Sequence, residues 1–161
     1  MYNKFMQRAI ELAEKAYSLG EVPIGAVVVS RRNSRQGEIV GEGFNNREFK
    51  NNPLGHAEII AIQNASIALN DWRLSGCDLY VTLEPCPMCC GAVINSRIER
   101  LYFGAFDEKA GSVYSVQEMF RFPYNHKPEV YAGIMQDECS IILSDFFRNL
   151  RKKSFDIEEN T

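Results

Sequence analysis

The segments His56-Ala57-Glu58 and Pro85-Cys86-Pro87-Met88-Cys89 supply one imidazole, two thiols and one carboxylate, a set suited to a hydrolytic metal centre. A structural zinc site closes with four protein ligands, whereas a catalytic one keeps three and leaves the fourth position to water. The motif supplies three, His56, Cys86 and Cys89, and leaves Glu58 as an unbound carboxylate to move protons. Cys86 and Cys89 lie three apart just after Pro85, and proline favours the first position of a helix, so both thiols are expected on one face of a first turn. The positive end of the helix dipole there lowers thiol pKa and helps present thiolates. His56 and Glu58 point roughly 200° apart on a regular helix, so they cannot both face a metal from mid-helix. The spacing therefore places His56 at or before the first turn, with Glu58 entering it. Cys90 points about 100° away from Cys89 and falls outside the ligand set. Glu84 is a poorer base, since nothing in the motif directs it to the metal.

The surrounding pattern must bring these segments together. Phe5, Ala9, Leu12, Ala13 and Ala16 recur at helical spacing, and Leu19-Gly20 stops that helix. Ala26-Val27-Val28-Val29 reads as a buried strand and Ile39 to Asn45 as a second, across a polar hairpin loop. A polar stretch from Asn45 to Leu54 delivers the chain to His56 and a long helix with Ala57, Ile60, Ala61, Ala65 and Ala68 inward. Leu79 to Thr82 reads as a central strand, Cys86 to Asn95 as the cysteine helix and Arg100 to Gly104 as the next strand. That order implies a parallel crossover with function gathered beyond strand carboxyl ends. A short helix over Val116 to Phe120, a brief strand near Val130 and a last helix through Cys139, Ile142, Leu143, Phe146, Phe147 and Leu150 complete the pattern. The result is an α/β fold, expected as one domain over 1–161 with a frayed tail at 154–161.

With 161 residues, 45% apolar and 24% charged, the chain can bury a real core. It shows no signal-peptide pattern and no apolar run long enough to span a bilayer. Three of its five cysteines crowd into 86–90, which suits metal binding in a reducing compartment better than a disulfide framework. A cytoplasmic location follows as the expectation, with Cys77 and Cys139 as plain buried thiols. The net charge of −3 argues against a uniformly basic nucleic-acid surface, although Arg148, Arg151, Lys152 and Lys153 crowd the last helix. On pattern alone, that helix is a solvated basic face, Asn45 and Asp107 are turn residues, and Phe147 is core.

The combination H-x-E with P-C-x-x-C is the signature of the zinc nucleobase deaminases, and the resemblance extends beyond it. From Met6 to Lys153 the chain resembles the bacterial tRNA adenosine deaminases, a family within the cytidine and deoxycytidylate deaminase superfamily. Glu21 to Ala26, Gly41 to Asn45, Thr82 to Cys86, Ser96-Arg97-Ile98, Phe103-Gly104-Ala105, Asp107 with Lys109 and Gly111, and Leu143 to Arg148 carry it. The resemblance implies a three-layer α/β/α sandwich around a mixed five-stranded sheet of cytidine-deaminase type. It implies one Zn2+ per subunit held by His56, Cys86 and Cys89, with Glu58 as proton shuttle. The implied reaction converts adenosine to inosine at the wobble position of a tRNA anticodon, with arginine tRNA as substrate and a homodimer as the working unit. Asn45 would hydrogen-bond the flipped base, Asp107 would lie in the loop contacting the anticodon backbone, Phe147 would pack near the nucleotide, and Arg148 or Arg151 would meet phosphate. Arg97 and Arg100 would lie near the partner subunit.

Two positions depart from the family pattern. Phe106 stands where many members carry arginine, and Asn52 replaces an aspartate before Pro53. Two other readings stay open at this point: a deaminase of a free base such as guanine or cytosine, and a catalytically silent subunit that binds RNA or a partner. Glu58 speaks against silence, because zinc binding does not require it.

Overall fold

Alternation along the strands sorts the core into two halves. Val27, Val29, Tyr80 and Tyr102 share one cluster of buried side chains, and their neighbours Ala26, Val28, Leu79, Val81, Leu101 and Phe103 share the other. A computed structural model describes residues 2–158 of the chain, with side chains through residue 154. Its elements are α1 (Tyr2–Ser18), β1 (Gly25–Ser30), β2 (Glu38–Phe44), α2 (Ala57–Leu69), β3 (Cys77–Leu83), α3 (Pro87–Ser96), β4 (Arg100–Ala105), β5 (Glu129–Ala132) and α4 (Gln136–Glu158). The strands form one mixed sheet in the order β2-β1-β3-β4-β5. Helices α1 and α4 cover one face and α2 and α3 the other, giving a three-layer α/β/α sandwich.

Strand direction creates the functional edge. β1 runs antiparallel to both β2 and β3, while β3, β4 and β5 are parallel, so every strand except β1 points the same way. The carboxyl ends at Phe44, Leu83 and Ala105 therefore share one edge, and the loops carrying Asn45, Cys86 and Asp107 leave from it. Ligands of open α/β sheets bind beyond such ends.

Small residues set the height of α2 above this edge. A Cβ on Gly43 would run into the Ala57 carbonyl, and one on Gly41 into that of Ala61. Facing glycines on β2 and alanines Ala57, Ala61 and Ala65 on α2 thus let helix and strand approach at backbone distance. On the other face Tyr80, Tyr102 and Tyr131 lie in register on three adjacent strands and stack at 4.4 and 4.6 Å between ring centroids. Cross-strand aromatic pairs of this kind contribute about 0.2–1 kcal/mol each.

Two expected elements differ. The helix expected over Val116 to Phe120 is a single 3-10 turn at Met119–Arg121. Main-chain bonds there reach across the loop, from the Val116 N–H to the Gly111 carbonyl and from the Met119 N–H to the Ser112 carbonyl, which is incompatible with a helical ladder. The cysteine helix begins at Pro87, so Pro87 and not Pro85 is the proline of its first turn. Helix α4 continues through Glu158, and residues 159–161 of the expected tail lie outside the described residues.

Candidate active site

Two helix caps meet beyond the sheet edge. His56 is the N-cap of α2 with extended backbone (φ −85°, ψ 144°), and Cys86 is the N-cap of α3 (φ −74°, ψ 174°). N-caps are usually Ser, Thr, Asp or Asn, whose side chains bond back to the helix. Neither His56 nor Cys86 does so, which frees both for each other. The His56 Nδ1 lies 3.6 Å from the Cys86 sulfur and 3.5 Å from the Cys89 sulfur. Among the described residues these three form a cluster with donor atoms close enough to hold one metal ion. Glu58 follows in the first turn of α2 and is 4% exposed. The two-residue spacing is met as the sequence requires, with the imidazole before the helix and the carboxyl within it.

The electrostatics divide the labour. The Cys86 thiol is held down to about 4 by the hydrogen bond from Cys89, against its own burial and with help from His56. Cys89 moves the other way, raised by that same bond, by burial and by the nearby Glu58 charge. Both sulfurs would ligate a cation as thiolates, so binding one releases protons from this pair. Burial lifts the Glu58 carboxyl to about 7, with the Cys86 charge pushing in the same direction. A carboxyl poised near neutrality is suited to take a proton and return it. Cys90 is fully buried with its thiol toward the Pro85 carbonyl, and Cys77 and Cys139 are buried and free.

A cleft of about 550 Å³ opens over the cluster, with His56, Glu58 and Cys86 on its floor. Val22, Ile24, Leu83 and Leu143 supply apolar wall, and the segment Phe106 to Ala110 forms one side. Asn45 lies in the wall with its amide fixed: Nδ2–H donates to the Val22 carbonyl at 3.2 Å and Oδ1 accepts the Arg47 N–H at 3.3 Å. Those bonds leave one N–H and one carbonyl lone pair for a ligand. Asp107 Oδ1 accepts the N–H groups of Lys109 (3.0 Å) and Ala110 (3.3 Å), so its loop is self-capped. Phe147 is 41% exposed and faces the cleft, while the adjacent Phe146 is buried, which overturns the pattern-only reading of Phe147 as core. Arg148 and Arg151 do not line the cleft. Arg148 sits on the surface 3.7 Å from Asp145, and Arg151 is exposed one helical turn beyond Phe147. Arg97 closes the carboxyl end of α3 in a left-handed conformation (φ 64°) and Arg100 pairs with Glu129 at 3.4 Å.

Sequence reasoning gave no site role to Glu21, Arg47, Phe106 or Glu84. Buried Glu21 accepts the N–H groups of Phe49 (2.6 Å) and Glu48 (3.3 Å) and so anchors the loop between Asn45 and His56. Phe106 is half-exposed in the cleft wall with its ring edge-on to Phe103. No local pattern marks a carboxylate as the acceptor for a distant loop, so these contacts had no sequence signal.

Comparison with known proteins places this geometry. The MafB19-like deaminase family model matches residues 2–151. The tRNA-specific adenosine deaminase of Bacillus subtilis is 48% identical over 150 residues, covering 92% of this chain and 90% of the relative. That of Haemophilus influenzae is 46% identical, covering 93% and 85%. The chain belongs to the tRNA-specific adenosine deaminase family. A solved structure from work on A-to-I editing by tRNA:A34 deaminases at the wobble position superposes on this family member with a TM-score of 0.82 at 43% identity, covering 87% of this chain and 99% of the other. A guanine deaminase from Nitrosomonas europaea is more distant, at 25% identity and a TM-score of 0.73 over 91% and 84%. No helix among the described residues is long and apolar enough to cross a membrane.

Proposed function

We propose that this deaminase hydrolyses adenosine to inosine at the wobble position of a tRNA anticodon, with one zinc ion per subunit. The observation carrying the reading is the cleft floor, where a buried carboxyl stands beside three N/S donors in a chain 48% identical to a tRNA-specific adenosine deaminase. The donor set fits zinc. Bonds of about 2.3 Å to sulfur and about 2.0–2.1 Å to nitrogen at tetrahedral angles set sulfur and nitrogen about 3.5–3.6 Å apart, and both His56–sulfur distances agree. His56, Cys86 and Cys89 would hold the ion, which when bound supplies Lewis acidity that activates water at neutral pH.

The protein's own groups then move the protons. Glu58 takes one from water as its oxygen bonds to C6 of adenine and passes it to ring N1. A second proton passes through the same carboxyl to the amino nitrogen, the C6–N bond breaks, and ammonia leaves behind the inosine carbonyl. Asn45 orients the base with its remaining N–H and lone pair, and the apolar walls exclude competing water. Phe147 packs against the nucleotide, Asp107 meets the anticodon backbone, and Arg148 and Arg151 meet phosphate beyond the cleft mouth. The working unit is a cytoplasmic homodimer and the substrate an arginine tRNA. The 1–161 span is read as one domain.

The test sets an arginine-tRNA anticodon stem-loop bearing wobble adenosine against free adenosine, guanine and cytosine, using zinc-loaded protein. Inosine in the stem-loop without ammonia from the free bases is the expected result. Ammonia from guanine or cytosine with an unedited stem-loop would replace the reading with a free-base deaminase, and no turnover of any substrate would favour a silent subunit.

A further inference from the structure

We infer that Glu84 is a positioning residue for RNA recognition, its carboxylate fastening the Asp107–Ser115 loop to the turn that carries Cys86. This rests on the tRNA reading above. Glu84 is 2% exposed and lies between the end of β3 and the ligand turn. Its Oε1 accepts the N–H groups of Val113 (3.2 Å), Tyr114 (2.7 Å) and Ser115 (2.9 Å). Its Oε2 accepts the Asp107 N–H at 3.0 Å and the Ser115 hydroxyl. All five donors are neutral groups of one loop, which folds round the charge as a nest of the kind that binds free anions. A carboxylate removed from water persists only with its lone pairs satisfied, so the loop and the charge require each other.

Two further observations tie this nest to the site. The main chain joins the same parts: the Glu84 N–H donates to the Ala105 carbonyl at 2.8 Å and the Ser112 N–H to the Pro85 carbonyl at 2.9 Å. Gly111 wraps the carboxylate so closely that a Cβ there would collide with Glu84 Oε2 and with the Asp107 carbonyl. The loop held in this way delivers Asp107, Glu108, Lys109 and Ala110 to the cleft wall. Glu84 thus sets the distance between the RNA-facing wall and the catalytic floor; it borders the cleft, but both its carboxylate oxygens are engaged by the loop, so it acts through Asp107.

The test measures steady-state inosine formation on the stem-loop for wild type, Glu84→Gln, Gly111→Ala, Asp107→Asn and the Glu84→Gln/Asp107→Asn pair, each checked for bound zinc. Glu84→Gln turns one acceptor into a donor facing donors, and Gly111→Ala disturbs the same contact from the loop side, so it carries the test if the first variant folds poorly. Both are expected to keep zinc and to keep kcat within about threefold, while KM rises about tenfold, the signature of lost substrate positioning. The double variant is expected to lie within about twofold of Glu84→Gln, because the two residues act as a unit. Unchanged KM with a lower kcat or melting temperature, or fully additive effects, overturns the inference while leaving the tRNA reading standing. No inosine from wild type overturns both.

Discussion

Glu58 and Glu84 are both buried carboxyls within reach of one cleft, yet their surroundings send them in opposite directions. Burial lifts Glu58 to about 7 and equips it to exchange protons. Burial also pushes Glu84 upward, but the hydrogen bonds from Ser115, Tyr114 and Asp107 outweigh it and hold the group below its ordinary 4.5. A depressed folded-state pKa means that the interaction is complete above the ordinary value and fails only as pH falls through the lower one. In an amide NMR titration, Tyr114 and Ser115 are therefore expected to shift together with a midpoint below 4.5. A midpoint above that value would contradict the carboxylate nest. The sequence made Glu58 legible because two-residue spacing constrains where an imidazole and a carboxyl can both face. Glu84 was illegible because its partners lie 23 to 31 residues on, in a loop with no periodicity.

At the scale of elements, the site is positioned by contacts that tolerate no extra atoms. His56 and Glu58 start α2, whose height over β2 is fixed by Gly41 and Gly43 against alanine. Gly43→Ala forces a methyl against helix backbone and is expected to destabilise the protein by about 1–3 kcal/mol in urea unfolding, and to lower turnover by displacing the helix start. Stability within about 0.5 kcal/mol of wild type would show that helix and strand can part without cost. The strand and helix order was legible from β-branched runs and helical periodicity, including the crossover from β3 through α3 to β4. The start of α3 falls one residue later than the spacing predicts, because proline precedes and follows Cys86 and only the backbone shows which one enters the helix. The lost helix near Val116 has a different origin, since its main-chain N–H groups reach carbonyls five and seven residues back in place of the four a helix requires.

Over the whole molecule, an acidic chain must meet a polyanion through a local basic surface. Leu143 and Phe147 line the cleft, and Arg151 continues their stripe at four-residue spacing, so α4 leads outward from the cleft to cations. Among the described residues Arg148 pairs with Asp145 in an exposed contact, which is worth little and yields readily to phosphate. Replacing Arg148 and Arg151 with alanine is expected to weaken stem-loop binding and to reduce the slope of log affinity against log salt by about 1–2. An unchanged slope would place the RNA elsewhere. The basic run was visible in the sequence, but its relation to the cleft was not, because that depends on how α4 crosses the sheet. The proposed role of Glu58 as proton carrier in wobble-adenosine deamination is tested by mass analysis of the arginine-tRNA stem-loop after incubation with zinc-loaded wild type and Glu58→Ala. Inosine is expected from wild type, with a loss of about 10²–10⁴-fold or more in the variant with zinc retained. Inosine formed at similar rates by both proteins would contradict it.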